Sequence, residues 1–308
     1  MIKKHLKNIQ FAIFGSDVAR RTHADNIRSL SGYTESIEAL KNSLPQHYEF
    51  NQDEPIFIFS AGWRSGSTLL QRLICSSNDV FMWGELYDKS NIIQKMASSI
   101  EPFSASWPPK GYYKNDDEGN LSEKWIANLY PKPEQLVNSF YSFFNTLFVA
   151  SISKKKPELR WGMKEVRFGF KEALFLKFLY PNCKILFLER DLLGAYESYI
   201  NFSKYKDWYS RWPFNKAFTP YAFAKHRANL IRDFQKCIPL TNGLAVKYET
   251  LTEDSETLDK IENYLGIKIN RDAIKKKVGS GAERKFNARA QTVSYLERIL
   301  LKLGNSRF

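Results

Sequence analysis

The sequence predicts an α/β protein: a single P-loop-containing domain with a mostly parallel β-sheet flanked by helices, interrupted by helical and irregular insertions. Three observations lead to this prediction. Short apolar runs bounded by turn residues alternate with longer helical stretches. A glycine-containing loop lies between the first apolar run and a helix, as in many phosphate-binding proteins. The length of 308 residues and the hydrophobic share of 43% suffice for one large core.

The beginning of the chain is polar and helical in its pattern. We therefore expect an N-terminal helical extension over residues 1–50 and the domain itself over 51–308. The apolar runs 9–14 and 140–152 are too short or too often interrupted to be a signal peptide or a membrane span. The three cysteines lie at spacings that indicate neither a disulfide framework nor a metal site. These features predict a cytoplasmic protein without a membrane span or a bound metal.

The elements follow one another in an alternating order. Residues 55–60 (PIFIFS) form a short apolar run between a proline and a glycine, which predicts a buried strand. Residues 67–76 (STLLQRLICS) have apolar residues at helical spacing. Further strands are predicted at 161–166, 184–188 and 244–248, further helices at 133–154, 191–202 and 221–237, and an irregular insertion at 102–119. Strands that alternate with helices favour a parallel sheet.

The loop 62–68 (GWRSGST) connects the first predicted strand to the first predicted helix of the domain. A helix N-terminus offers unpaired N–H groups and the positive end of the helix dipole to an anion. The glycines allow the backbone to approach that anion, the hydroxyls add donors, and an arginine adds charge. The candidate ligand-binding residues of this loop are Arg64, Ser65, Gly66, Ser67 and Thr68.

This loop differs from that of a nucleoside triphosphatase, which reads G-x-x-x-x-G-K-[ST]. When Thr68 is aligned with the last position, Ala61 replaces the first glycine and Ser67 replaces the lysine. The lysine that reaches the β- and γ-phosphates is therefore missing. The absence of this lysine disfavours ATP hydrolysis, but the loop still fits a nucleotide with a 5′-phosphosulfate.

A second candidate site follows the strand predicted at 184–188. Arg190 lies at the end of this strand, and Ser198 follows two helical turns later. Ligands of open parallel sheets bind at the carboxyl ends of the strands. Arg190 and Ser198 are therefore candidates for binding a second phosphate, although a strand-end salt bridge and a solvated serine would give the same pattern.

Taken together, these motifs resemble those of the sulfotransferase family that uses 3′-phosphoadenosine 5′-phosphosulfate (PAPS). The resemblance covers roughly residues 54–290 and is closest to the tyrosylprotein and bacterial glycan branches. It implies that the loop 62–68 binds the 5′-phosphosulfate. It also implies that Arg190 and Ser198 bind the 3′-phosphate of PAPS and of its product PAP.

Further motifs match this family in the expected order. Glu85, in Trp-Gly-Glu, is similar to the catalytic carboxylate of those two branches, and Lys164 is similar to a lysine near their active site. Tyr248, in Tyr-Glu-Thr-Leu, resembles the tyrosine beside the adenosine. Arg284 and Lys285 lie in a basic, glycine-containing segment that would fold over the 3′-phosphate, but the match is weak there.

The resemblance implies in-line displacement of a sulfuryl group onto an acceptor hydroxyl. A general base must take the proton of that hydroxyl. The four histidines lie outside the stretch that follows the first helix of the domain, so a carboxylate is expected: Glu85, with Asp88 as its competitor. Arg64 and Lys164 are expected to stabilise the charge that develops on the leaving phosphate, without a metal.

The net charge of +13 suits a polyanionic ligand but does not identify it. We expect a carbohydrate or small-metabolite acceptor, since aromatic residues are dense at 205–221 and occur in the insertion at 102–119; such aromatics can equally pack a peripheral subdomain. A P-loop nucleotide kinase or NTPase-like protein is the alternative, and a basic nucleic-acid-binding protein is a weaker one. The sequence leaves the oligomeric state open.

Overall fold

The structure is a computed structural model of the whole chain. It describes residues 30–87, 90–115, 119–123, 125–152, 158–203, 219–253, 255–274 and 292–306. All structural statements below concern these residues.

One five-stranded sheet forms the centre of the described structure. Its strands are Ile56–Ser60 (β1), Val80–Trp83 (β2), Arg160–Glu165 (β3), Lys184–Glu189 (β4) and Leu244–Lys247 (β5). They lie in the order β2-β3-β1-β4-β5, and every neighbouring pair is parallel. β1 is therefore the central strand, with Ile58 opposite Lys164 of β3 and Leu186 of β4. The predicted parallel α/β architecture is confirmed.

Ten α-helices accompany the sheet within the described residues. They are Leu30–Ser43 (α1), Ser67–Cys75 (α2), Ile92–Ser99 (α3), Pro133–Phe144 (α4), Phe170–Leu179 (α5), Leu192–Ser203 (α6), Pro220–Thr241 (α7), Tyr248–Glu253 (α8), Ser255–Leu265 (α9) and Tyr295–Ser306 (α10). In the described part of the chain, none of the helices combines the length and the apolar character that crossing a bilayer requires.

Two predictions from the periodicity need correction. The strand β2 was not predicted; it has only four residues, and its side chains alternate between buried and more accessible positions. The helix expected over 133–154 is α-helical only as far as Phe144 and continues as a π-helical turn over Asn145–Val149. Its apolar residues on both sides of this turn remain in the core, which is why the pattern alone suggested one longer helix.

The core lies on both faces of the sheet, because alternate residues of a strand point to opposite sides. Phe57 and Phe59 of β1 belong to one apolar cluster, together with buried residues of α1, α4, α5 and α7. Ile56 and Ile58 belong to a second cluster, with buried residues of α2 and α9. These four side chains are fully buried, which fixes β1 between the two helical layers.

The helix α1 packs onto the main apolar cluster. Its residues Tyr33, Ile37 and Leu40 are buried there. The Tyr33 hydroxyl also donates to the carbonyl of Ala97 at 2.7 Å. Residues 1–29 lie outside the described residues, so a boundary between an extension at 1–50 and a domain at 51–308 stays a prediction.

The described residues of the insertion, 102–115 and 119, are irregular, as predicted, apart from a short 3₁₀ turn at Lys110–Tyr112. Its aromatic residues pack against one another. Tyr112 makes edge-to-face contacts with Trp107 and with Tyr130, at 5.6 and 5.7 Å between ring centroids. These contacts favour a structural role for the aromatic residues of this segment.

Gly162 provides a test of the sheet packing. It lies in β3 between the two neighbouring strands, and a methyl group there would overlap the carbonyl oxygen of Ile56 and the sulfur of Met82. We expect Gly162→Ala to lower the free energy of unfolding by about 1–3 kcal/mol, because backbone cannot yield as a flexible side chain can. Thermal unfolding measures this. Gly111→Ala is the control, since a methyl group there meets nothing within 4 Å; equal melting temperatures for both variants would contradict the packing.

Candidate active site at the carboxyl edge of the sheet

The candidate site lies along one edge of the sheet. Because all strands are parallel, their carboxyl ends share that edge. The predicted residues occur at or just beyond these ends: Arg64 to Thr68 after β1, Glu85 after β2, Lys164 near the end of β3, Arg190 after β4 and Tyr248 after β5. The topology thus brings together segments that are far apart in the sequence.

The loop after β1 has an unusual backbone. Gly62, Arg64 and Gly66 all have a positive φ, at 82°, 65° and 88°. Gly66 is the N-cap of α2, and a methyl group at this position would overlap the ring of Tyr248. The loop therefore requires glycine at this position both for its conformation and for the close approach of the tyrosine.

The hydroxyl-bearing residues of the loop differ in their surroundings. The Ser65 side chain is fully buried, and its hydroxyl donates to the carbonyls of Ala61 at 3.0 Å and Gly62 at 3.1 Å. Ser67 is buried in the first turn of α2, whereas Thr68 is exposed. The hydroxyl of Ser65 thus stabilises the loop itself, and its predicted contact with a ligand remains a prediction.

Arg64, Arg190, Ser198 and Tyr248 are brought together around this loop. The Nε of Arg64 donates to the hydroxyl of Ser198 at 3.0 Å. The Nη1 of Arg190 donates to the carbonyl of Arg64 at 3.1 Å, and its guanidinium lies 4.3 Å from the ring centroid of Tyr248. The Nε of Arg190 is buried and has no hydrogen-bond acceptor among the described residues. One donor of this cluster therefore has no acceptor within the described residues.

The turn after β4 holds Arg190 in place. The carboxylate of Asp191 accepts from the N–H of Gly194 at 2.9 Å, in the first turn of α6. The N–H of Asp191 itself donates to the carboxylate of Glu249 at 3.0 Å. Both bonds fix the backbone on the carboxyl side of Arg190, so that its side chain projects from a constrained turn.

Arg227 was missed in the sequence analysis. It lies on α7, its side chain is 2% exposed, and its guanidinium donates to groups in both the loop after β1 and the turn after β4. A signal was available, since Arg227 interrupts an apolar stripe of Phe223, Leu230 and Phe234 at helical spacing. A charge inside such a stripe indicates a buried polar contact.

Glu85 and Lys164 form an ion pair at the other end of this edge. The Nζ of Lys164 lies 2.5 Å from Oε1 of Glu85, and their side chains are only 9% and 19% exposed. Gln71 of α2 supports the end of β2, because its side-chain amide donates to the carbonyls of Met82 at 3.0 Å and Trp83 at 3.2 Å. The phosphate loop and the Glu85 segment are thus both attached to α2.

A second ion pair lies next to Lys164. Glu165 is buried and pairs with Arg167 at 2.5 Å, while Arg167 also donates to the side chain of Asn91 at 3.2 Å. Burial raises the pKa of the Glu165 carboxyl, although the hydrogen bond from Arg167 opposes this effect. This pair attaches the end of β3 to the segment that precedes α3.

Some candidates lie outside the described residues. Arg284 and Lys285, predicted to bind the 3′-phosphate, belong to this group, as does Asp88, the competitor of Glu85. Most of the aromatic stretch at 205–221 lies outside as well, since only residues from 219 onward are described. The described site therefore consists of the loop after β1, the four strand-end residues Glu85, Lys164, Arg190 and Tyr248, and the helix residues Ser198 and Arg227.

The described residues fit a ligand with two separated phosphate groups. The N-terminus of α2 offers N–H groups to one anion. Arg64, Arg190 and Arg227 concentrate positive charge within the same region, and the buried Nε of Arg190 has a donor to offer. A triphosphate would find serine in place of the P-loop lysine at position 67.

Several solved structures are similar to this chain. The sulfotransferase domain of the Synechococcus PCC 7002 olefin synthase is 16% identical, with 83% of this chain and 95% of that chain covered and a TM-score of 0.42. Mouse sulfotransferase SULT7A1 complexed with PAP is 15% identical, with 78% and 68% covered and a TM-score of 0.36. Sulfotransferase STF1 from Mycobacterium tuberculosis H37Rv is 14% identical, with 90% and 84% covered and a TM-score of 0.41.

The family of the chain follows from its sequence. No curated protein matches it. The model of the Sulfotransferase family, however, matches residues 55–271 and so covers most of the chain, including every described residue of the candidate site. The chain therefore belongs to the sulfotransferase family and is a PAPS-dependent sulfotransferase.

Proposed function

We propose that this enzyme transfers the sulfuryl group of PAPS to a hydroxyl of a carbohydrate or a small metabolite, with Glu85 as the general base. The observation that carries the proposal is the ion pair of Glu85 and Lys164 at the same sheet edge as the phosphate loop. It supplies a carboxylate and an ammonium group in a half-enclosed place, where both proton transfer and charge stabilisation are effective.

The residues of the phosphate-binding half divide into two groups. The N-terminus of α2, with Arg64 and the loop residues Ser65 to Thr68, would hold the 5′-phosphosulfate. Arg190 and Ser198 would hold the 3′-phosphate, and Tyr248 would lie beside the adenosine. The contacts of Arg64 with Ser198, and of Arg190 with Tyr248 and the carbonyl of Arg64, support this proposal because they hold the two groups side by side. Arg284 and Lys285 remain predicted additional contacts.

The two residues of the ion pair would have separate tasks. PAPS supplies the sulfuryl group, and PAP is its product. Lys164 contacts only Oε1 of Glu85, and no described residue donates to Oε2. Oε2 would accept the proton of the acceptor hydroxyl as it attacks in line. The ammonium group of Lys164 and the guanidinium of Arg64 would offset the negative charge that develops on the leaving phosphate oxygen.

The surroundings of Glu85 support a ring-containing acceptor. Tyr87 follows Glu85 closely in the chain and is 64% exposed. An exposed aromatic face next to a catalytic carboxylate suits the apolar face of a sugar ring or a small cyclic metabolite. A screen of glycan and small-molecule acceptors with radiolabelled PAPS would identify the class of acceptor.

The cytoplasmic location expected from the sequence stays a prediction.

The alternative of a nucleotide kinase or NTPase has less support. Ser67 occupies the position of the P-loop lysine and is buried in the first turn of α2, so no ammonium group is available there. Nucleic-acid binding has no specific structural support, because the described basic residues of the site gather in one strand-end region rather than along an extended surface.

Glu85→Gln tests the general base. We expect kcat to fall about a hundredfold or more, because the amide cannot accept the proton, while the affinity for PAP stays nearly unchanged. Steady-state kinetics and calorimetry with PAP measure the two effects. Glu101→Gln is the matched control, since Glu101 pairs with Lys171 at 2.6 Å and similar exposure. Turnover near wild type in Glu85→Gln would remove Glu85 from the mechanism.

Arg190→Ala tests the 3′-phosphate site. We expect the affinity for PAP to fall by about tenfold to a hundredfold, as one charge-assisted contact is lost. The affinity for AMP, which lacks the 3′-phosphate, should change little. Lys184→Ala is the control, because Lys184 lies at the opposite end of β4 and also over a tyrosine, 5.3 Å from the ring centroid of Tyr264. Unchanged binding of PAP by Arg190→Ala would refute the assignment.

A further inference from the structure

Arg227 is buried among the elements of the site without being part of the sheet edge. It projects from α7, and only 2% of its side chain is exposed. Its Nη1 donates to the carbonyl of Ala61 at 2.5 Å and to the hydroxyl of Ser65 at 2.6 Å. Its Nη2 donates to the carbonyl of Arg190 at 2.6 Å. One guanidinium thus connects the loop after β1 to the turn after β4.

We propose that Arg227 is a positioning residue that couples the two phosphate-binding segments of this sulfotransferase. It holds the loop that would receive the 5′-phosphosulfate at a fixed distance from Arg190, which would receive the 3′-phosphate. The inference rests on the proposed division of the site into these two segments. It adds that binding of either phosphate favours binding of the other.

The geometry of the guanidinium suits this role. Its two terminal nitrogens diverge in one plane, so it can donate to two segments at once. A lysine has a single ammonium group at the end of a flexible side chain. It could therefore form good hydrogen bonds with one of the two segments, or only weak ones with both. The acceptors at Ala61 and Arg190 are backbone carbonyls, so that Arg227 fixes main-chain positions rather than side-chain rotamers.

The electrostatics connect Arg227 with an anionic ligand. No carboxylate among the described residues pairs directly with it, whereas Asp191, Glu189 and Glu249 act from a greater distance. Burial, reinforced by the charge of Arg190, lowers the pKa of the Arg227 guanidinium to about 10. The unfavourable energy of burying Arg227 beside Arg190 is reduced when an anionic phosphate binds to either segment.

The test compares four ligands: adenosine, AMP, 3′-AMP and PAP. The coupling is the factor by which each phosphate gains affinity when the other is present. We expect Arg227→Met to reduce this factor by about tenfold or more, since a bond to a charged donor is lost on both segments. Arg227→Lys should reduce it as well, although it keeps the charge. Calorimetry measures all four dissociation constants.

Arg232→Met is the matched control. Arg232 lies on the same helix, but its guanidinium bonds to Ala228 and Asn229 of α7 itself. The control should retain the coupling. A folded Arg227→Met or Arg227→Lys variant with the wild-type coupling factor would overturn the proposal. Replacing a residue with a merely structural role would lower the melting temperature without changing the coupling factor. If Arg227→Met does not fold, Arg227→Lys alone decides.

Hydrogen exchange separates this proposal from the proposed function. In the ligand-free protein, we expect faster amide exchange at both 61–66 and 189–191 in Arg227→Lys than in wild type. Unchanged exchange at either segment would contradict the coupling. A wild-type protein that binds no PAP would instead refute the proposed function, while the exchange experiment would still test the connection of the two segments.

Discussion

Parallel pairing of the strands is the constraint on which the site depends. Neighbouring parallel strands all run in one direction, so their carboxyl ends meet at a single edge. β1 at the centre presents the phosphate loop, β3 and β2 present Lys164 and Glu85 on one side, and β4 and β5 present Arg190 and Tyr248 on the other. If a strand next to β1 were antiparallel to it, the functional residue at the carboxyl end of that strand would lie at the opposite edge of the sheet. The order of the strands therefore separates the side that we propose binds the nucleotide from the side that we propose carries out the chemistry.

The two sides carry different kinds of charge. On the proposed nucleotide side, Arg190 and Arg227 bond to carbonyls and a hydroxyl, and no carboxylate of the described residues forms a direct ion pair with either of them. On the catalytic side, Lys164 is paired with Glu85 at 2.5 Å. An uncancelled cluster attracts a phosphate-bearing ligand, whereas a paired carboxylate and ammonium group can exchange a proton and stabilise charge. Under the proposed function, donor binding and chemistry would take place on adjacent but electrostatically distinct surfaces.

Much of this arrangement could be predicted from the sequence, because it depends on local signals. β1 and β4 consist mostly of consecutive apolar residues, and the loop after β1 has its glycines within a few residues. Other features depend on tertiary structure. β2 is too short to be distinguished by its pattern, and the burial of Arg227 follows from how α7 packs against two distant segments. The loop sequence likewise could not predict that the hydroxyl of Ser65 bonds to the loop's own carbonyls, because the positions of these carbonyls depend on the backbone conformation.

The loop after β1 is held in a conformation that it would not adopt alone. Arg64 has a left-handed backbone conformation, which costs roughly 1–2 kcal/mol in a residue with a side chain. Its carbonyl accepts from Arg190, and the preceding turn accepts from Arg227. The same cations that would bind the phosphates therefore also stabilise the strained loop. Because a ligand that binds only the folded state adds to its stability, the bound nucleotide would reinforce the contacts that build its own site.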